Sequence, residues 1–429
     1  MMPPGLVPAL RDAHWLTRRR VAAWGIVLLA EELLLVLFVA FCLHSPPLEA
    51  EHPTSTDFVS FYAAGKLALA GTPALAYDQA AHHLAEQHAT APGVPYMFFM
   101  YPPVFLPLCA CLASLPYLVA FGLFQLVTLA MFAGVMRGVL GEKGWAWLPP
   151  MLAFPPVFWT IGLGQNAFLT AALLGGFTLL IDRRPVTAGI LLGMVCYKPH
   201  FGLLAPVALV AGRHWRAFWA AAITIAVLVG MSIVMFGWNT WEAYLATFAA
   251  SPEIYASGRI AFAGMVTPFG GVRLLGFDPG DAYAVQAIAT IAMVAMVALI
   301  WRLDVSRPLR GACLLVATLL AVPLALFYDM LLALVAIGWL VREARVHGFL
   351  PWEKILLLAT YPVALAAWTA GTAWHIPLGP AITLTILLLC LRRVVASARA
   401  AGNARPARRM DAGSAPFLAS RVTDSRASS

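Results

Sequence analysis

The chain has 429 residues, of which 61% are hydrophobic and 11% charged, against about 25% charged in a soluble domain. Runs of ~20 apolar residues recur from end to end, which excludes a soluble core and indicates one polytopic, all-α membrane domain. The net charge of +8 does not point to nucleic acid, because Lys and Arg fall in short clusters between apolar runs, the pattern of cytoplasmic loops.

In chain order, Arg18-Arg19-Arg20 precedes an apolar run from Val21 to about Leu43. The run is longer than the apolar region of a cleaved signal, so it reads as an uncleaved first span with a cytoplasmic N-terminus. Further spans are expected at 117–137, 147–161, 166–182, 186–197, 200–212, 217–237, 283–301, 309–327, 330–342, 354–370 and 378–395. With 21–43 that makes about twelve transmembrane helices and puts both termini on the cytoplasmic side. Of the 28 Lys and Arg residues, only Lys66, Lys198, Arg259 and Arg273 then fall outside, a bias that supports the threading. The membrane domain spans 1–395, with a first outer loop at 44–116 and a second large one at 238–282. Residues 396–429 form a polar, basic tail expected to be disordered and able to touch anionic membrane lipids.

Three places interrupt the spans. The stretch from Tyr101-Pro102-Pro103 to Leu115 is too short to cross and suits a helix lying at the outer surface or re-entering. Spans 186–197 and 200–212 are also short and meet at Tyr197-Lys198-Pro199-His200, and such a break usually lines a cavity because unpaired backbone is not tolerated facing lipid. Phe327-Tyr328-Asp329 separates two apolar runs at the outer side.

Several patterns carry less. The six cysteines have no metal or disulfide spacing and read as apolar packing residues. His82-His83, Glu86 and His88 lack a convincing ligand geometry for zinc. Glu31-Glu32 lies inside the first span, which is expensive and marks a functional suspect. There is no dinucleotide fingerprint and no P-loop, so an enzyme here would take an activated substrate from the membrane.

Four blocks have a recognisable order. They are Asp57-Phe58 with Tyr62-Ala63-Ala64-Gly65, Gly71 and Leu75-Ala76-Tyr77-Asp78; Tyr101-Pro102-Pro103 with Leu115-Pro116; Gly164-Gln165-Asn166; and Arg184-Pro185, Ala188-Gly189, Leu192-Gly193, Lys198-Pro199, Leu203, Pro206 and Trp215-Arg216-Ala217. In these the chain resembles glycosyltransferase family 87, the mannosyltransferase-like membrane proteins of the GT-C superfamily. The resemblance implies transfer of a hexose, with mannose leading, from a polyprenyl-phosphate donor to a lipid or glycan acceptor at the outer face of a bacterial-type plasma membrane, with inversion. It places the catalytic acid at Asp57. The paired acids of many GT-C relatives are absent here, so no metal or other cofactor is expected.

Direct inversion needs one base, because a phosphate leaves without a protein acid. Asp57 is that base, the competing reading being a helix N-cap. Lys198, His200, Arg259 and Arg273 are candidates for the donor phosphate. Tyr62, Tyr101, Gln165, Asn166, Tyr328 and Asp329 are candidates for sugar or acceptor contacts, and Asp329 is also a second candidate acid. The rival class is a secondary transporter, suited by twelve spans, two broken helices and intramembrane carboxylates.

Overall fold

The computed structural model describes residues 6–42, 56–141 and 146–411. Among them no strand forms, and one antiparallel bridge joins Met265 to Leu326. The N-terminal half comprises α1 (Leu6–Asp12), α2 (Arg18–Cys42), α3 (Phe58–Leu69), α4 (Gln79–Ala89), α5 (Leu106–Ala113), α6 (Tyr117–Leu140), α7 (Leu148–Leu152), α8 (Pro155–Leu163), α9 (Ala167–Leu180), α10 (Pro185–Gly193), α11 (Ala205–Ala211) and α12 (Trp215–Phe236). The C-terminal half comprises α13 (Trp238–Ala256), α14 (Pro268–Leu274), α15 (Pro279–Arg302), α16 (Arg307–Leu320), α17 (Leu331–His347), α18 (Glu353–Trp374) and α19 (Leu378–Asp411).

Five of these helices, α6, α12, α15, α18 and the first part of α19, are long and apolar enough to cross a membrane. Of the remaining expected spans, 21–43 falls on the unbroken α2 and 330–342 on α17, and the others fall on shorter or broken helical segments. The run 147–161 is split into α7 and α8 where Pro155 and Pro156 restart the helix, since proline cannot continue the preceding ladder. The segment after Tyr101 is a short 3-10 turn followed by α5, and it packs on α3. Helices α16 and α17 are enclosed on nearly every side, as all-round apolar helices should be. The tail boundary expected at 395 falls inside α19, which continues to Asp411. The end of the first expected span at 43, the part of the first expected outer loop at 44–55, and the chain beyond 411 lie outside the described residues.

The break at Lys198 has the expected form. Helix α10 tightens into a 3-10 turn at Met194–Tyr197, and a second 3-10 turn at Pro199–Gly202 leads to α11. Two glycines fix where this break sits. A Cβ at Gly189 would lie 2.3 Å from the Ala217 carbonyl oxygen, and one at Gly193 2.8 Å from that of Ala221. Gly189 and Gly193 on α10 thus meet Ala217 and Ala221 on α12, a small-residue crossing that lets backbones approach closely. The C-terminal half is tied at the other end by the buried Arg393–Glu353 ion pair, with Arg393 Nη2 also donating to the Gly348 carbonyl at 2.9 Å.

Gly189→Val should force α10 off α12 and lower stability by about 1–3 kcal/mol, the usual range for overpacking. Thermal unfolding of purified Gly189→Val beside Val186→Ala, an exposed position on the same helix, would check this.

Candidate active site

Asp57 occupies the N-cap position of α3, but its side chain makes no capping bond. Asp78, at the N-cap of α4, does cap, accepting from Ala81 N at 2.8 Å. The Asp57 carboxylate is committed elsewhere: its Oδ2 accepts from Gln165 Nε2 at 2.6 Å. Gln165 is in turn fixed from two sides. Its Oε1 accepts from Asn166 N at 3.3 Å, and its backbone carbonyl accepts from Gln125 Nε2 at 3.1 Å. The chain reaches this point through Gly164, which closes α8 at φ +67. A Cβ there would lie 2.6 Å from Phe58 Cβ and 2.6 Å from the Phe121 ring, so glycine answers both the left-handed backbone and the close approach.

Asp57 and Gln165 open into a cavity of about 290 Å³, near the lower end of the roughly 300–1,000 Å³ of small-molecule sites. Lys198 lines it from the break between α10 and α11, and Tyr328 and Asp329 line it from the turn before α17. Lys198 Nζ donates to Asp329 Oδ1 at 2.9 Å and lies 5.4 Å from the Tyr328 ring centre and 5.5 Å from that of Phe201. Asp329 Oδ2 accepts from Leu326 N at 3.0 Å. That turn is itself held by the bridge at Leu326, by Val266 N donating to the Ala325 carbonyl at 3.0 Å, and by Thr267 Oγ1 donating to that of Pro323 at 2.9 Å. Segments more than 130 positions apart thereby present one cation between two carboxylates.

Burial raises the Asp57 pKa above the ordinary value of 3.8, against the opposing pull of the Gln165 hydrogen bond and the Lys198 charge. A carboxylate so placed is a better proton acceptor than a solvated one.

Most of the expected site residues converge here. Asp57, Tyr101, Gln165, Lys198, His200, Arg259, Tyr328 and Asp329 all line the cavity. Tyr101 belongs to an aromatic stack, 4.9 Å from Phe105, which lies 5.0 Å from Tyr197. Arg259 stands over the Phe98 ring at 4.8 Å. Three expected residues do not line the cavity. Tyr62 is buried and donates to the Leu115 carbonyl at 2.8 Å. Arg273 is committed to the carbonyls of Phe277 and Ala256. Asn166 is fully buried next to Gln165 and does not reach the cavity.

One wall is unanticipated. Tyr244, Thr247, Phe248, Ser251 and Tyr255 of α13 face the cavity, and their three- and four-residue spacing is one helix face. That periodicity is visible inside the expected outer loop 238–282 and was the available signal. The histidine cluster supports this region structurally. His82 Nε2 pairs with the Ser60 carbonyl at 3.1 Å, and both Glu86 oxygens accept from Met97 N at 3.2 Å. Burial lowers His82 to about 4 and raises Glu86 to about 8. Together they pin α4 to α3 and to the cavity-lining segment 96–98. Among the described residues no group of three or more His, Cys, Asp or Glu is placed to hold a metal.

The sequence profile of glycosyltransferase family 87 matches residues 99–327, more than half of the chain. The chain belongs to glycosyltransferase family 87. It is therefore a transferase that brings a sugar donor and an acceptor together, and its apolar helices mark it as an integral membrane protein. The match contains Tyr101, Gln165, Lys198, His200 and Arg259, while Asp57 precedes it and Tyr328 and Asp329 just follow it. The cavity joins these flanking residues to the matched ones. No curated protein and no solved structure matches the chain.

Gln165→Leu removes the donor that favours ionised Asp57, so the Asp57 pKa should rise further. If Asp57 acts as the ionised base, the acid limb of the kcat/KM profile should move to higher pH, with the plateau less affected. A profile measured between pH 4 and 9, roughly the stable range of such proteins, checks the sign.

Proposed function

We propose that the enzyme moves a hexose, mannose foremost, from a polyprenyl-phosphate donor to a lipid or glycan acceptor at the outer membrane face, with inversion and without a metal. The observation that carries this reading is the Asp57 carboxylate, released from helix capping, aimed into a cavity and held by Gln165. An acceptor hydroxyl directed at Asp57 would lose its proton to the carboxylate as its oxygen bonds to the anomeric carbon. The bond between that carbon and the phosphate oxygen breaks, and the electron pair leaves on the phosphate. No protein acid is needed at that end.

Lys198 and Arg259 are the cations that would meet the leaving phosphate. Lys198 is already neutralised by Asp329. Removing one partner of such a buried pair strands the other charge, at about 3–5 kcal/mol. A phosphate entering beside Asp329 would share the ammonium, whose three donors allow it, while Arg259 offers a planar fork at the cavity wall. The ring and hydroxyl face of α13 suits the second substrate, because rings and hydroxyls stack on and bond to sugar. The cationic bias of the opposite loops supports placing this cavity on the outer face.

The test is transfer by detergent-purified protein with chelator present, offered polyprenyl-phosphate mannose, polyprenyl-phosphate glucose or a nucleotide sugar, with host lipid extract as acceptor. Transfer from a polyprenyl-phosphate hexose is expected, faster from mannose. Arg259→Gln should raise donor KM about tenfold, the worth of ~1.4 kcal/mol, with a smaller effect on kcat. Activity only with the nucleotide sugar, or transfer that appears only when the chelator is left out, would overturn the reading.

A further inference from the structure

Behind the cavity wall the fold encloses a titratable pair that takes no part in the transfer chemistry. His82 and Glu86 lie one turn apart on α4, and both side chains are fully shielded from solvent. Their partners fix where the protons sit. His82 Nε2 faces the Ser60 carbonyl at 3.1 Å. A carbonyl only accepts, so Nε2 carries the ring hydrogen. His82 Nδ1 lies 3.5 Å from Glu86 Oε1. Two bare acceptors would repel there, so one further proton belongs between them. An imidazolium facing a carboxylate would put two charges in a dry site, where desolvation is expensive. The neutral form avoids this: Glu86 is a carboxylic acid whose hydrogen points at Nδ1. Burial works in the same direction, lowering His82 to about 4 and raising Glu86 to about 8 against the pull of the Met97 N–H, and the Asp57 charge adds to the rise at Glu86.

The pair holds a segment of the cavity wall. Met97 N donates to both Glu86 oxygens at 3.2 Å, and His83 Nε2 pairs with the Val94 carbonyl at 2.7 Å. The Tyr96 ring packs on both histidines, 5.7 Å from each, and on Phe98 at 5.0 Å. Tyr96, Met97 and Phe98 all line the cavity. Arg259 is exposed, and the Phe98 ring beneath it is the surface that orients its guanidinium. The titratable and charged groups that face the pair are Asp57 from α3, His83 from α4, Tyr117 from α6 and Tyr96, with Arg259 and Asp78 acting on Tyr96. Loss of the shared proton would leave a buried carboxylate facing the Asp57 charge.

We propose that Glu86 and His82 are positioning residues for the transfer reaction: the single proton they share keeps α4 closed on segment 96–98, which holds Phe98 beneath Arg259 and Arg259 at the donor phosphate. This role rests on the reading of Arg259 as a ligand of that phosphate. When the proton leaves, an uncompensated charge stands in a dry site, the segment loosens, and donor binding weakens. Because burial raises Glu86, the folded protein keeps the proton at neutral pH and loses this hold as pH rises through about 8.

Donor KM and kcat of the full-length enzyme between pH 7 and 9 test this, measured with whichever lipid-linked or nucleotide sugar it transfers. Wild-type KM should rise about tenfold over that range, the effect of one proton, with a smaller change in kcat. Glu86→Gln keeps an acceptor for Met97 N and a donor for His82 Nδ1 but cannot ionise, so its KM should stay level. Glu86→Ala, which lacks both groups, should show the raised KM already at pH 7. Infrared spectra of protein carrying isotope-labelled glutamate, without substrate, need neither donor nor transfer. The carboxylic-acid band of Glu86, identified as the difference between wild type and Glu86→Gln, should be present at pH 7 and lost by pH 9. A wrong donor assignment leaves that band in place. A level wild-type KM, an equal rise in Glu86→Gln, or no such band at pH 7 would overturn the proposal.

Discussion

The arrangement depends on one hydrogen bond, from Gln165 Nε2 to Asp57 Oδ2. An aspartate at a helix N-terminus normally spends its oxygen on the backbone of the first turn. Here it does not, and the partner that takes over is reached only because Gly164 turns the chain tightly against Phe58 and Phe121. The bond selects a direction for the carboxylate, and the surrounding rings withhold water from it. Orientation therefore comes from the bond, while the raised proton affinity of the carboxylate comes from burial, which the bond partly opposes.

Around that bond the charges are arranged in sequence. Lys198 lies between Asp329, to which it is bonded, and Asp57, whose ionised form its charge favours. The pair is almost fully buried, where the desolvation of each ion is expensive and geometry must compensate. The geometry comes from elements remote in the chain: the small-residue crossing of α10 on α12 sets the lysine, and the bridged turn before α17 sets the aspartate. The cavity is thus a product of the packing of the whole bundle.

Much of this was legible in the sequence, for identifiable reasons. Hydropathy and charge bias located the helices, because membrane spans are written in composition. The Lys198-Pro199 break was legible because proline and an isolated charge both terminate an apolar run. Asp57 emerged from its place in an ordered set of motifs. The Lys198–Asp329 pairing was not legible, since nothing local records which residue 131 positions away a lysine will meet. Tyr62 and Arg273 carried the right chemistry at the right end of the bundle, and only packing shows that Leu115 in one case and Phe277 with Ala256 in the other consume their polar groups. The α13 face was written in a helical period, yet its ring and hydroxyl residues become a wall only once α13 closes over the cavity. Among the described residues five helices are long and apolar enough to cross a membrane, and several of the other expected spans fold as short or divided helices inside the bundle.

The most direct measurement compares single-turnover sugar transfer by wild type, Asp57→Asn and Asp329→Asn, with donor binding measured separately. If Asp57 is the base, Asp57→Asn loses at least about 100-fold in the transfer step while still binding donor. Asp329→Asn, which frees Lys198, should mainly alter donor affinity. Full transfer by Asp57→Asn, or loss of the chemical step only in Asp329→Asn, would contradict the assignment of Asp57 and move the base to the other side of Lys198.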